Sequence, residues 1–262
     1  MKKIILTFFV LVFTLLLNVN AHSQYLNIFG GAKLPEYNNT NIELGYLDES
    51  PAPDLFYSNT SLKKKAYYTV GVSYDNFKHE KELYYNAIGN VQFGELFGFE
   101  LGVSTGYPFF LNATKTLTIL PTVSGGFSYA SKKLGQLVNN TVYIQVNSTR
   151  FADYTNVNVS LVKTDLFVKP SLNILWDITK KFQIRFTGSY EQDMNLNQFI
   201  EFSGKDNSGK AVSDKEETNA RNLSYNINGS PSSSIPLNIK GLEFKLGFAI
   251  NFGKEKSNAV KY

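Results

Sequence analysis

Six charged residues occupy the polar positions of segments in which every second residue is apolar. If those segments enclose a narrow space, the charges need partners of opposite sign, because burying an unpaired charge is costly. Carboxylates from two segments are the expected partners of the basic residues. The sequence therefore predicts a lumen charge network, formed by Glu100, Lys169, Arg185, Glu191, Glu243 and Lys245.

Catalytic chemistry has little support in the sequence. A serine-type triad needs a histidine between a nucleophile and a carboxylate, but the two histidines are His22, near the N-terminus, and His79, in a predicted turn. With no cysteine, thiolate metal sites are also excluded. We expect no enzyme activity, no metal site and no cofactor. The formal charge of +4, which falls to about +2 when Lys2 and Lys3 are left out, gives no reason to expect nucleic-acid binding, which needs a clustered basic face.

The elements that would position these charges are β-strands, because hydrophobicity alternates with a period of two. In the last such segment, Leu242, Phe244 and Leu246 alternate with Glu243 and Lys245. Leu120 and Leu175 break the pattern by falling on the polar face. Eight segments, each long enough to cross a membrane at a tilt, follow this rule: 25–33, 66–75, 83–93, 98–109, 116–129, 167–177, 182–191 and 241–252.

The composition of the two faces favours a membrane barrel over a soluble sandwich. The enclosed face is rich in Gly, Ser, Thr and charge, so the apolar face must be the outer one. We therefore predict an all-β, antiparallel transmembrane β-barrel of eight strands. Aromatic residues near strand ends are expected to form its interfacial girdles: Tyr107, Phe109, Trp176, Phe182, Tyr190 and Phe252.

Connections between the strands alternate in length, as they do in outer-membrane barrels. Short turns near 112–114 and 177–181 are expected on the periplasmic side, and long polar loops on the extracellular side. The segments 141–148 and 154–161 also alternate; they form either a hairpin above the membrane or two further strands of a ten-stranded barrel. Pro121 and Pro170 must lie at bulges or at gaps in the strand ladder, because proline has no N–H to donate.

The N-terminus predicts export. Lys2 and Lys3 precede an apolar run of about 14 residues and a small-residue cleavage region, as in a signal peptide. The domain organisation that follows is a signal peptide over 1–23, a barrel with long extracellular loops over 24–252, and a polar tail over 253–262. The expected location is the outer membrane of a Gram-negative bacterium.

Several of these features together resemble a known class of protein. The motifs Leu120-Pro121-Thr122 and Lys169-Pro170-Ser171, and the final strand ending in Phe252, resemble small outer-membrane β-barrel proteins of the OmpA/OmpX-like or PorT-like type. The resemblance implies a barrel fold, an outer-membrane location and recognition of the terminal aromatic residue by the barrel-assembly machinery. The ten residues after Phe252 depart from that pattern.

The functional prediction is a non-enzymatic barrel with a structural or interaction role through its extracellular loops. An eight-stranded barrel is only wide enough for its own side chains, which favours a plugged lumen. The alternatives are a passive small-solute pore and an accessory component of an envelope secretion or transport machine. Expected partners are outer-membrane lipid, the assembly machinery and an envelope or extracellular protein of unknown identity, for which the charged loop over 205–221 is a candidate surface.

Overall fold

The computed structural model describes residues 23–47, 55–77, 83–138, 143–194, 196–233, 235, 237 and 240–252. The predicted signal peptide (apart from Ser23), the polar tail and His79 lie outside these residues. All regular elements in the described ranges are β-strands. They are β1 (Ser23–Pro35), β2 (Thr40–Leu47), β3 (Leu55–Leu62), β4 (Tyr67–Phe77), β5 (Tyr84–Phe93), β6 (Phe97–Gly106), β7 (Phe109–Phe110), β8 (Leu117–Leu137), β9 (Gln145–Val146), β10 (Thr149–Arg150), β11 (Val157–Asp177), β12 (Phe182–Asp193), β13 (Asn197–Lys205), β14 (Ala211–Glu217), β15 (Leu223–Ile227), β16 (Ser230–Ser232) and β17 (Gly241–Asn251).

Eight of these strands form a closed antiparallel barrel. The order is β11-β12-β17-β1-β4-β5-β6-β8, and pairing of β8 with β11 closes the ring. The first and last barrel strands, β1 and β17, are direct neighbours and pair from Tyr25↔Asn251 to Pro35↔Gly241. The two ends of the barrel sequence therefore meet without a crossover connection. The eight-stranded prediction is therefore confirmed, and each of the eight predicted segments overlaps one barrel strand.

Alternation along the strands sorts side chains between the two faces of the wall. In β17, Leu242 and Phe244 are 47% and 56% exposed, while Glu243 between them is completely buried. The barrel thus buries charged side chains and exposes apolar ones, the reverse of a soluble domain. Among the residues that the structure describes, no helix is long and apolar enough to cross a membrane.

One end of the barrel, here called the turn end, carries the short connections near 111–116 and 178–181. Leu120 and Leu175, which break the alternation, lie inside the barrel near this end and are at most 1% exposed. They pack with Tyr25, Tyr84 and Ala249. The two exceptions to the sequence pattern therefore form a small apolar layer that closes the base of the lumen.

The opposite end carries a folded structure, here called the outer cap: β2, β3, β9, β10, β13 to β16, and the ends of β8 (130–137) and β11 (157–163). The strands β8 and β11 each run for 21 residues and continue beyond the barrel. The hairpin of β13 and β14 pairs onto β11, and a separate sheet has the order β16-β15-β2-β3. Of the two extra alternating segments, the first contains the β9 strand of a short hairpin and the second runs into β11.

The outer cap has its own apolar core. The rings of Tyr46 and Phe202 lie 4.7 Å apart, and the Tyr46 hydroxyl donates to the carbonyl of Gln145 at 2.9 Å. Tyr67 and Leu96, at the mouth of the barrel, belong to the same cluster, so the core continues down to the lumen. Its other buried members are Tyr37, Ile42, Leu44, Leu62, Ala130, Leu134, Leu137, Ile144, Val146, Phe151, Val157, Val159, Leu161, Ile200, Tyr225, Ile235 and Leu237. The long loops therefore fold into a packed cap.

Both mid-strand prolines lie at gaps in the ladder. Pairing of β11 with β12 stops at Val168↔Gln192 and resumes at Ser171↔Ser189, so it skips Pro170. Pairing of β8 passes from β6 to β7 at Pro121, between Gly106↔Thr122 and Phe109↔Ile119. In each case the missing N–H falls where no ladder hydrogen bond is made.

Candidate functional site: a buried ion network

All six predicted lumen charges point into the barrel. Their exposed fractions range from 0% for Glu191 and Glu243 to 8% for Lys245. Five of them meet near the cap end, whereas Arg185 lies nearer the turn end. The structure thus divides the predicted network into two layers.

Lys169 is the centre of the larger layer. Its Nζ lies 2.7 Å from Glu100, 2.7 Å from Glu191 and 3.0 Å from Glu243. Lys245 pairs with Glu243 at 2.8 Å. A single ammonium therefore joins three carboxylates that come from three different strands.

Lys33, which was not among the predicted residues, completes this layer. It is fully buried and bridges Glu191 at 2.8 Å and Glu100 at 3.3 Å. With it, the layer holds three lysines and three glutamates, so its formal charges cancel. This neutrality is what allows so many charges to share one narrow lumen.

Neutral side chains support the ion network. Asn90 donates to Glu100 at 2.9 Å, and Gln92 donates to the other oxygen of the same carboxylate. The ammonium of Lys245 lies 4.9 Å from the centre of the Phe29 ring, a cation–π distance. Gly31 leaves the room for Lys245, because a Cβ there would lie 2.9 Å from Cγ of that lysine and would overlap the backbone carbonyl of Phe244.

The second layer is centred on Arg185. Its guanidinium lies 2.7 Å from Asp75 and donates to the hydroxyl of Tyr84 at 3.2 Å. Tyr84 in turn donates to Asp75 at 2.8 Å, and Arg185 also donates to Gln183. Arg185 is thus held by its own carboxylate partner and lies apart from the glutamates that surround Lys169.

A third buried group joins the barrel to the outer cap. The ammonium of Lys163 contacts Asp193 and lies 3.2 Å from Asp165. It also donates to the backbone carbonyl of Leu237 at 3.2 Å, and Leu237 belongs to the cap core. The cap is therefore attached to a charged group at the mouth of the lumen.

Little space remains between the ionic layers. The cavity bordered by Lys169, Arg185 and Lys245 has a volume of about 40 Å³. That is room for a few water molecules. In the part of the chain that the structure describes, side chains fill this region. Apolar residues close the lumen at the turn end and at the cap end.

The two charged residues that the prediction missed in the Lys169 and Arg185 layers carried a signal in the sequence. Lys33 and Asp75 are the last residues of the predicted segments 25–33 and 66–75. Outward residues such as Ile28 and Val72, each more than half exposed, have even numbers on these strands, which puts the odd-numbered Lys33 and Asp75 on the inward face. Because hydrophobicity alternates only weakly along these two strands, the sequence reasoning did not assign Lys33 and Asp75 to the lumen.

The predicted aromatic girdle is divided between the two ends. Tyr107, Phe109, Trp176, Phe182 and Phe252 lie at or near the turn end, and each is at least 40% exposed. Tyr190 pairs with Leu242 at the cap end and is only partly exposed. On that side the exposed aromatic residues include Tyr68, Phe93 and Phe97, which the sequence reasoning did not select.

Comparison with known proteins gives a weak structural likeness. No protein-family model matches the sequence, and no curated protein matches it. The outer membrane protein OprG from Pseudomonas aeruginosa is 9% identical, with 90% of this chain and 98% of that chain covered and a TM-score of 0.35. The outer membrane protease OmpT from Escherichia coli is 6% identical, with 86% and 97% covered and a TM-score of 0.33. The narrower resemblance to OmpA/OmpX-like or PorT-like barrels stays a prediction.

Proposed function

We propose that the protein is a closed, non-enzymatic barrel of the bacterial outer membrane whose outer cap is its interaction surface. The membrane assignment rests on the outward face, where the apolar side chains of Ile28, Leu172 and Phe244 are each more than 50% exposed. In water such a surface would be an extended adhesive patch. In lipid it is the expected outer surface of a barrel.

The observation that carries the closed state is the neutral ion network around Lys169. Ion passage would require the contacts of Lys169 with three glutamates to open, and the apolar layer beneath and the cap above would also have to part. A structural role for the lumen is therefore favoured over the alternative of a passive pore.

The outer cap supports the interaction role. Its sheets add a packed apolar core above the barrel, which barrel closure itself does not need, since β8 pairs with β11 without it. A rigid surface binds partners at a lower entropic cost than a mobile loop does. The expected partner is an envelope protein or an extracellular one.

Single-channel recording in planar bilayers tests the closed state. Protein folded in detergent is first checked for a gel-mobility shift on boiling, so that a silent bilayer cannot be attributed to unfolded protein. We expect the shift and no steady current. Steady conductance that changes in Glu243→Gln would contradict the closed barrel and support the pore.

A further inference from the structure

A cluster of lysines lies at the cap end of the barrel, apart from the ion network. Three consecutive lysines, Lys63, Lys64 and Lys65, form most of the connection from β3 to β4, and all three are exposed. Lys132 and Lys133 lie on β8, the second of them also exposed. None of the five takes part in the lumen contacts.

Glu95 shows that the two lysine segments converge on one place. Its carboxylate accepts a hydrogen bond from the Lys132 ammonium at 2.5 Å and another from the backbone N–H of Lys63 at 3.3 Å. The hydroxyl of Tyr37 donates to the carbonyl of Lys63 at 3.1 Å, and Asn39 accepts from the N–H of Lys64 at 2.7 Å. The backbone that carries the lysines is therefore fixed to the cap.

The cluster keeps a strong positive charge. Glu95 pairs with Lys132 and can neutralise one of the five lysines, which leaves a formal excess of four positive charges on this flank.

An exposed aromatic surface lies directly below these lysines. Tyr68 and Phe93 form a facing pair of β4 and β5, with ring centres 6.0 Å apart. Phe97, which is 59% exposed, faces Ser131 of β8, one residue before Lys132. At about 3.3 Å per residue, Lys132 and Lys133 lie within roughly 7 Å of the level of Phe97 along the strand.

The flank is open because the connection between β5 and β6 is short. Only three residues, 94–96, separate the two strands, and the strands β4, β5, β6 and β8 are consecutive in the barrel. The lysines and the aromatic residues below them therefore face the same side of the molecule.

From this arrangement we propose that the flank binds a phosphorylated lipid of the surrounding leaflet. The phosphates would contact Lys63, Lys64, Lys65 and Lys133, and the acyl chains would lie against the aromatic surface. Basic residues next to a membrane attract anionic headgroups, and aromatic rings favour the interfacial level. This inference rests on the proposed membrane location and adds a ligand to it.

Native mass spectrometry of the full chain, folded in a neutral detergent, tests the site. The probes are a diphosphorylated, multiply acylated glucosamine disaccharide (lipid A), the same lipid without its phosphates, and inorganic phosphate. The site variant is Lys63→Gln/Lys64→Gln/Lys65→Gln. The control variant removes three lysines elsewhere: Lys180→Gln/Lys181→Gln/Lys205→Gln.

We expect the phosphorylated lipid to bind, with a Kd at least about tenfold higher for the site variant and unchanged for the control. Equal binding by both variants, or equal binding of the dephosphorylated lipid, would overturn the proposal. Binding of inorganic phosphate as tight as that of the lipid would overturn the assignment to a lipid. Each preparation is first checked for its mobility shift on boiling, so a failure of the barrel itself is seen separately.

Discussion

At the scale of single residues, Lys169 is the side chain on which the buried network depends most. It is 5% exposed and contacts three carboxylates. Removing one partner of a buried ion pair is far more destabilising than removing the whole pair, because the remaining charge stays buried without compensation. In this network that penalty falls on Glu100, Glu191 and Glu243 together.

We therefore expect Lys169→Met to lower the free energy of unfolding by about 3–5 kcal/mol. Urea unfolding in lipid vesicles, followed by the fluorescence of the single tryptophan, Trp176, would measure it. Lys240→Met is the control, because Lys240 forms a partly exposed pair with Glu36 at 3.7 Å, which is worth at most about 1 kcal/mol. Equal losses in the two variants would contradict the central role of Lys169.

The second prediction concerns Glu95, which lies in the connection above the barrel wall. Burial by itself raises the pKa of this carboxyl group, but the hydrogen bonds from Lys132 and Lys63 and the charge of Lys132 outweigh it and lower the pKa below its usual 4.5. A lowered folded-state pKa adds stability above the unfolded-state value. That stability is lost as the pH falls through the folded-state pKa.

In Lys132→Gln we expect the pKa of Glu95 to rise, because burial then acts with less opposition. Carbon NMR of the labelled carboxyl group in micelles gives the titration directly. Lys180→Gln, at the other end of the barrel, should leave the pKa unchanged. The contact assigned to Lys132 would be wrong if its removal left the titration of Glu95 where it was.

At the scale of elements, the gap in the ladder between β11 and β12 is the feature that a substitution can close. Pro170 has no N–H, and the pairing skips it. Pro170→Val supplies the donor and a side chain that favours strands. We expect slower amide exchange near 170 and 190 and a gain in stability of up to about 1 kcal/mol.

Hydrogen–deuterium exchange resolved by peptide measures that change. Leu172→Val serves as the control, because Leu172 lies on the same outward face and is already paired with Gly188. A loss of stability without added protection would mean that something other than the missing N–H keeps the two strands apart.

At the scale of the whole molecule, the apolar core of the outer cap and the apolar layer at the base of the barrel are separate clusters. Phe202 is fully buried in the cap, and its strand β13 is outside the closed ring of eight strands. Phe202→Ala should therefore cost the cap about 3–5 kcal/mol and leave the barrel formed. We expect new protease cleavage sites between 197 and 233, with the mobility shift on boiling retained.

Phe199→Ala is the matched control for this variant, because Phe199 lies on the same strand and is only partly buried. It should leave the cap resistant to protease. If Phe202→Ala abolished the mobility shift as well, the cap and the barrel would form one cooperative unit, and two separable parts would be the wrong description.

The sequence by itself determined the wall of the barrel. In a strand, successive side chains point to opposite faces, so the pattern around Glu243 and Lys245 assigns the face of every residue nearby. The same rule placed Glu100, Lys169, Arg185 and Glu191 in the lumen before any strand was paired. Eight strands were the preferred count, because eight alternating segments are long enough to cross a membrane, and ten strands were the alternative.

Only the tertiary structure decided which charges meet. Lys33 and Glu100 are 67 residues apart, and their contact depends on the strand order and on the stagger between strands around the ring. Arg185 was placed correctly on the inward face, but its level along the barrel axis, beside Asp75, follows from that stagger alone. Pairing is a property of the closed barrel, which no local pattern contains.

The outer cap shows the same division. Its core brings together residues such as Leu44, Val146 and Phe202, which come from segments that the sequence presented as separate polar loops. Each segment supplies only a few apolar residues, too few to predict burial alone. The core exists because the closed barrel fixes the ends of these segments at one rim, where their short apolar stretches can pack against each other.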